Sequence, residues 1–311
     1  MSALHTTLTE YLALRRALGF QLKDVGRSLH QFVHFAETQG AACITTELAL
    51  RWATQPVQVL PVHWARRLSM VRQFAQYCSA TDPRTEIPPQ GLLPARYVRR
   101  PPYLYSEEEI RHLLQAARRL PSQRGLQPQT YTTVFGLLAV TGMRLSETLA
   151  LDRQDVDLLQ ALITIRGAKG HKARWAPIHP STVRVLAQYT VLRDRLVPAP
   201  TTPSFFLCER GTRLSQWAVR RTFVQVSRQI GLRGPTESHG PRLHDLRHAF
   251  AVRTLLHWYH SGVDVERHLP ELATYLGHVH VSDTYWYLSA VPELLQLALQ
   301  RIEPPIGGDD V

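Results

Sequence analysis

The run Leu162-Ile163-Thr164-Ile165, then Gly167-Ala168-Lys169-Gly170, then Arg174-Trp175-Ala176-Pro177-Ile178 is the one long passage that alternates like β-strands in a chain otherwise patterned as helix. Two β-prone runs around a glycine-bracketed turn predict a hairpin or small sheet. Residues 205–208 add a further strand candidate. On either side the apolar positions recur at three and four. Ser106 and Glu109 form a capping-box pattern ahead of Ile110, Leu113 and Leu114, and helical period returns over 216–230, 244–257, 269–276 and 292–301. The fold class expected is mainly α with a small β-sheet.

Amphipathic helices are also expected at 8–18, 25–38, 47–53 and 62–79. Pro83, Pro88, Pro89, Pro94, Pro101 and Pro102 then interrupt any helix and mark a linker. The division expected is a helical domain at 1–92, a Pro/Arg-rich linker at 93–104 and an α+β domain at 105–311. Arg66, Arg67 and Arg72 form either a solvated helix face or a phosphate-contacting one. Arg96, Arg99 and Arg100 could follow a polyanion's backbone between the domains.

The 311 residues carry 36 Lys plus Arg against 25 Asp plus Glu, a formal net charge of +11, and the pI is about 10.0. Such an excess favours a nucleic-acid partner. Cys43, Cys78 and Cys208 lack any paired spacing for zinc or disulfides. The apolar run 134–140 is too short to cross a bilayer, and no leader pattern opens the chain, so a reducing, cytoplasmic setting is expected, with the nucleoid as the place of work.

Arg144 lies among Val140, Met143, Leu145 and Leu149, where an unpaired guanidinium is expensive. Glu147, three residues on, offers a local pair; an incoming anion offers another. His244 and Arg247, within Arg242-Leu243-His244-Asp245-Leu246-Arg247-His248, share one helix face that borders an apolar core. Leu276-Gly277-His278 is followed nine residues later by Tyr287, with Tyr285 and Trp286 beside it. Taken singly, each has a bland reading: core aromatics, a helix-end histidine, a solvated turn lysine at Lys169.

As an ordered set they are different. Thr141-Gly142-Met143-Arg144-Leu145-Ser146-Glu147, the turn Gly167-Ala168-Lys169-Gly170-His171-Lys172-Ala173-Arg174, then His244-Asp245-Leu246-Arg247-His248, Leu276-Gly277-His278 and Tyr287 resemble the tyrosine recombinase, or phage integrase, family over roughly residues 105–290. The resemblance implies a catalytic set of Arg144, Lys169, His244, Arg247, His278 and the nucleophile Tyr287. It also implies a DNA-clamping N-terminal half, a covalent 3′-phosphotyrosine, and four protomers on two double-stranded sites that pass through a four-way junction. Lys172 and Arg174 join the candidate DNA contacts. Tyr285 competes with Tyr287, and Lys172 with Lys169. The segment between Arg247 and His278, with His257-Trp258-Tyr259-His260 and Asp264-Val265-Glu266-Arg267, is longer than is usual in the family.

The chemistry needs these groups. Attack on a phosphodiester loads charge onto the non-bridging oxygens, and two planar guanidiniums plus His278 can receive it. A phenol with a reference pKa of about 10 needs a base such as His244, and the departing 5′ oxygen needs an acid such as Lys169. The phosphotyrosine conserves the bond energy, so neither a cofactor nor a metal is expected. Competing readings are a type IB topoisomerase-like enzyme and an inert DNA-binding module.

Overall fold

The computed structural model of the protein describes residues 2–95, 102–166, 173–237 and 239–302. The chain forms two compact units, Met1–Arg100 and Pro101–Val311.

The first unit is helical: α1 (Ala3–Ala17), α2 (Lys23–Thr38), α3 (Thr46–Thr54) and α4 (Pro61–Cys78). Ser2 and Thr45 cap α1 and α3 by accepting the backbone N–H groups of His5 and Leu48. Pro61 opens α4, where its missing N–H leaves nothing unpaired. Leu8, Leu29, Phe32, Trp52, Val71 and Phe74 close the core. Of the arginines on α4, Arg66 is exposed. The guanidinium of Arg67 instead lies 3.7 Å over the Trp52 ring and donates to the Trp52 carbonyl at 3.0 Å, and Arg72 donates to the carbonyls of Pro88 and Pro89 at 2.6 and 2.7 Å. Both side chains thus tie α4 to its own unit.

In the second unit, the capping box of Ser106 and Glu109 starts α5 (Glu107–Arg118), which packs on the largely buried α6 (Leu126–Thr141). Gly142, at φ +61°, ends α6 in the left-handed conformation, and a Cβ there would meet Phe250 at 2.6 Å. The short α7 (Leu145–Ala150) follows. A three-stranded antiparallel sheet then runs β1 (Val156–Asp157), β2 (Leu162–Ile165), β3 (Arg174–Pro177), with Ile163 opposite Ala176 and Ile165 opposite Arg174. Ile163, Ile165 and Ala176 face the core while Trp175 is exposed, the two-residue period of a half-buried sheet.

Residues 205–208 are not a strand. Phe205, Phe206 and Leu207 are buried in succession, so the segment has no solvent face to alternate against. It is held by Phe205 N–H to the Leu151 carbonyl and by a tight return from Cys208 to Thr212. Helix α8 (Pro180–Leu196) precedes it and α9 (Gln216–Gln229) follows.

The last described elements are α10 (Leu243–His260), α11 (Val265–Leu276), α12 (Ser282–Ala290) and α13 (Pro292–Ile302). Helix α11 begins a turn before the expected 269. Capping by Asp264 and burial of Val265, Leu269 and Leu272 hold that turn despite the hydrogen bond Pro270 cannot make. Arg247, in the first turns of α10, reaches the end of α11, whereas Trp258 and His268 meet ring to ring at the other end. The two helices are therefore an antiparallel hairpin. The segment between Arg247 and His278 that was expected to be long is made of these two arms and the link between them. Among the described residues, no helix is long and apolar enough to cross a membrane.

Replacing Arg67 by Ala is expected to cost about 1–2 kcal/mol, the sum of a cation–π contact and one hydrogen bond. Urea unfolding followed by tryptophan fluorescence measures it. An unchanged midpoint would mean that the stacking contributes nothing.

Candidate functional site

The last carbonyls of a helix have no intrahelical partner and carry the negative end of its dipole, so cations settle there. At the end of α11 three successive carbonyls each receive a different arginine. Arg174 Nε donates to Tyr275 O at 2.9 Å, Arg247 Nη2 to Leu276 O at 2.8 Å, and Arg144 Nη2 to Gly277 O at 2.9 Å. Arg247 also donates from Nη1 to Gly142 O at 2.8 Å, at the end of α6. Gly142 and Gly277 both have positive φ, which turns these helix-end carbonyls toward the guanidiniums. A Cβ on Gly277 would sit 2.6 Å from Arg174 Nη1. Sequence distance is thereby erased: Arg144 and Arg247, 103 positions apart by number, meet on adjacent carbonyls.

One carboxylate locks the arrangement. Glu147 accepts Arg144 Nη1 at 2.7 Å, Arg174 Nη1 at 3.0 Å and Arg174 Nη2 at 2.8 Å, and also caps its own helix through Arg144 N–H at 2.9 Å. Burial would raise its pKa, but the hydrogen bonds and charge of the two arginines overcome this and hold it at about 2. Arg247 is 2% exposed; burial and then the charge of Arg144 draw its pKa down to about 10, still cationic at neutral pH. Each guanidinium has five donors. Arg144 and Arg247 each spend two side-chain N–H groups on the contacts described.

His244 stands in the first turn of α10, beside Arg247. Burial, then the positive charge of Arg247, hold its pKa at about 4, so the imidazole is neutral and able to accept a proton. Its ring meets His248 edge-on at 4.8 Å. His278, just past α11, shares a hydrogen bond of 2.6 Å between Nδ1 and Thr284 Oγ1, and its ring stacks 6.1 Å from Tyr287 at an interplanar angle of 25°. Tyr287 is 1% exposed, packed against His248, His278 and Trp286. Its charge, when ionised, acts on Arg247. Tyr285 points outward, 49% exposed. A groove of about 470 Å³ opens here, lined among others by Arg144, Leu145, Arg220, Phe223, Arg242 and His244.

Lys169 and Lys172 lie outside the described residues, as do Arg96, Arg99 and Arg100. On the described residues at either side of 167–172, Arg166 pairs with Asp155 at 2.6 Å and Asp152 at 3.6 Å, and Arg174 with Glu147. Arg174 is inside the site, beneath the candidate phosphate-binding groups. Sequence reading also missed the double duty of Glu147, and His248 and Thr284 altogether. Only the spacing of Glu147 from Arg144 hinted at any of these.

Glu147→Gln is expected to cost about 3 kcal/mol at neutral pH, because two guanidiniums lose a buried counter-charge. Since the folded pKa of Glu147 lies below its ordinary 4.5, this stability is present above that value and drains away as pH falls toward about 2. Urea unfolding of wild type and variant across that range should show the gap narrowing with acid; a gap independent of pH would sink the assignment.

The profile of the phage integrase family matches residues 104–293. A protein named as an integrase/recombinase, y4rB of Sinorhizobium fredii, is 50% identical over 307 residues, covering 97% of this chain and 98% of its own. The tyrosine recombinase XerC of Chlamydia caviae is 30% identical over 239 residues, 77% of this chain and 71% of its own. Among solved structures, the Tn1549 transposon integrase in complex with transposon right end DNA superposes with a TM-score of 0.66 at 13% identity, covering 97% of this chain and 99% of that one, a likeness of fold. With most of the second unit matched and half of all aligned positions shared with one relative, the chain belongs to the phage integrase family of tyrosine recombinases.

Proposed function

We propose that the protein is a site-specific recombinase that breaks and rejoins double-stranded DNA through a covalent 3′-phosphotyrosine on Tyr287. The observation that carries this reading is the convergence of Arg144 and Arg247 on adjacent carbonyls at the end of α11, one residue from His278. Their remaining donors can take the two non-bridging oxygens of one phosphate, whose charge grows as the phenol attacks. The planes of both guanidiniums are fixed beforehand by carbonyls and Glu147, so little reorganisation accompanies the reaction. His278 adds a donor to the same oxygens.

The neutral state of His244 suits it to take the proton of Tyr287. Lys169, whose position in the sequence falls between β2 and β3, supplies a proton to the departing 5′ oxygen. The new P–O bond to Tyr287 replaces the P–O bond to the sugar, and the free 5′ hydroxyl of a partner strand can then attack the same phosphorus, release the Tyr287 phenol and join the exchanged strands. Two sites and four protomers complete a recombination, with a four-way junction between the two rounds. On α13, Leu295 and Leu299 are 50% and 51% exposed, an apolar edge suited to a neighbouring protomer. Arg66 and Arg220 are accessible cations for the flanking backbone.

A substrate nicked next to the cleavage position should trap the protein on the 3′ phosphate, with or without a chelator. Tyr287→Phe is expected to abolish trapping with DNA affinity intact, and Tyr285→Phe to trap as wild type does. The opposite pattern would move the nucleophile to Tyr285, and relaxation of a plasmid lacking paired sites would point to a topoisomerase.

A further inference from the structure

His248 follows Arg247 in sequence and lies one helical turn after His244 on α10, 4% exposed. Its ring meets His244 edge-on at 4.8 Å and 82°. On α12 it meets both Trp286 and Tyr287 at 5.4 Å, each at 59°, and those two meet each other at 5.5 Å and 63°. His248 is therefore the ring that joins the residue assigned to take the proton with the residue assigned to attack. His278 lies on Tyr287 as well, at 6.1 Å and near parallel.

We propose that His248 is a positioning residue for strand cleavage, holding the ring of Tyr287 and the imidazole of His244 in the mutual orientation that attack requires. The inference rests on the roles given to His244 and Tyr287 above. Before attack nothing covalent ties the phenol to the phosphate, so the direction of its hydroxyl depends on the rings that pack around it. An aromatic ring with a missing neighbour gains rotamer freedom, and a misplacement of about 1 Å at a reacting atom costs on the order of a hundred-fold in rate. Once the phosphotyrosine has formed, the P–O bond itself fixes the phenolic oxygen. Rejoining, in which a 5′ hydroxyl passes its proton to Lys169 and attacks phosphorus while the Tyr287 oxygen leaves and takes back the proton held by His244, starts with that oxygen already placed and depends far less on His248. A residue that merely fills space would slow both directions together or neither.

Single-turnover measurements with a nicked substrate separate the two. For His248→Ala, adduct formation is expected to slow by about tenfold or more, with affinity for the DNA within about twofold of wild type. Adduct accumulated to completion and then chased with a 5′-hydroxyl strand should rejoin at a rate within about threefold of wild type. His248→Phe, which keeps the ring, should recover most of the cleavage rate, whereas His248→Gln should not. Cleavage by His248→Ala at the wild-type rate, or equal slowing of cleavage and rejoining, would overturn the proposal. If the alanine variant does not fold, the Phe and Gln variants decide: equal rates for these two refute the role of the ring. Tyr287→Phe runs alongside. Adduct formation by that variant would overturn the assignment of the nucleophile, while its loss combined with unimpaired His248→Ala would remove this inference alone.

Discussion

The site depends on one arrangement of partial charge: the C-terminal carbonyls of α11 facing a cluster of guanidiniums. Like-charged groups crowd together at a cost that rises steeply away from water. Here three arginines are held close because Tyr275, Leu276 and Gly277 each present a carbonyl to one of them, and because Glu147 supplies a full negative charge to two. The backbone geometry that makes this possible is local. Gly277 adopts a left-handed conformation that a side chain would strain and that Arg174 crowds at 2.6 Å from the missing Cβ. Gly142 does the same for α6 and Arg247.

Electrostatics and packing divide the labour. The arginine face is rigidified by hydrogen bonds to backbone, and the aromatic face around Tyr287 by ring contacts from α10, α12 and His278. Beside Arg247 stands His244, whose neutrality follows from burial and then from the charge of Arg247. Bringing an anion beside Arg247 offsets the charge that now disfavours the imidazolium. An anion bound there would therefore raise the affinity of His244 for a proton.

Much of this was legible in the amino-acid order. The alternating run around Lys169 located the small sheet, and the ordered set from Arg144 to Tyr287 located the family. What stayed hidden depends on register and on helix ends. Arg174 reads as a turn-flanking cation until β3 pairs Arg174 with Ile165 and delivers its guanidinium to Glu147. Arg67 reads as a surface charge until Trp52, on another helix, comes beneath it. Residues 205–208 have strand-like composition, yet burial on every side leaves no pattern to tell a strand from a packed loop. The start of α11 was lost because a proline argues against helix locally and a cap outside it argues back.

The antiparallel hairpin of α10 and α11 has a further meaning. One end holds His244, Arg247 and, just past α11, His278, and the opposite end holds Trp258 and His268. A residue added at that tip would extend the arms away from the arginine cluster, in the way a lever can be lengthened without shifting its fulcrum. A change of side chain at the distal tip is therefore separated from the guanidinium cluster by the length of both arms.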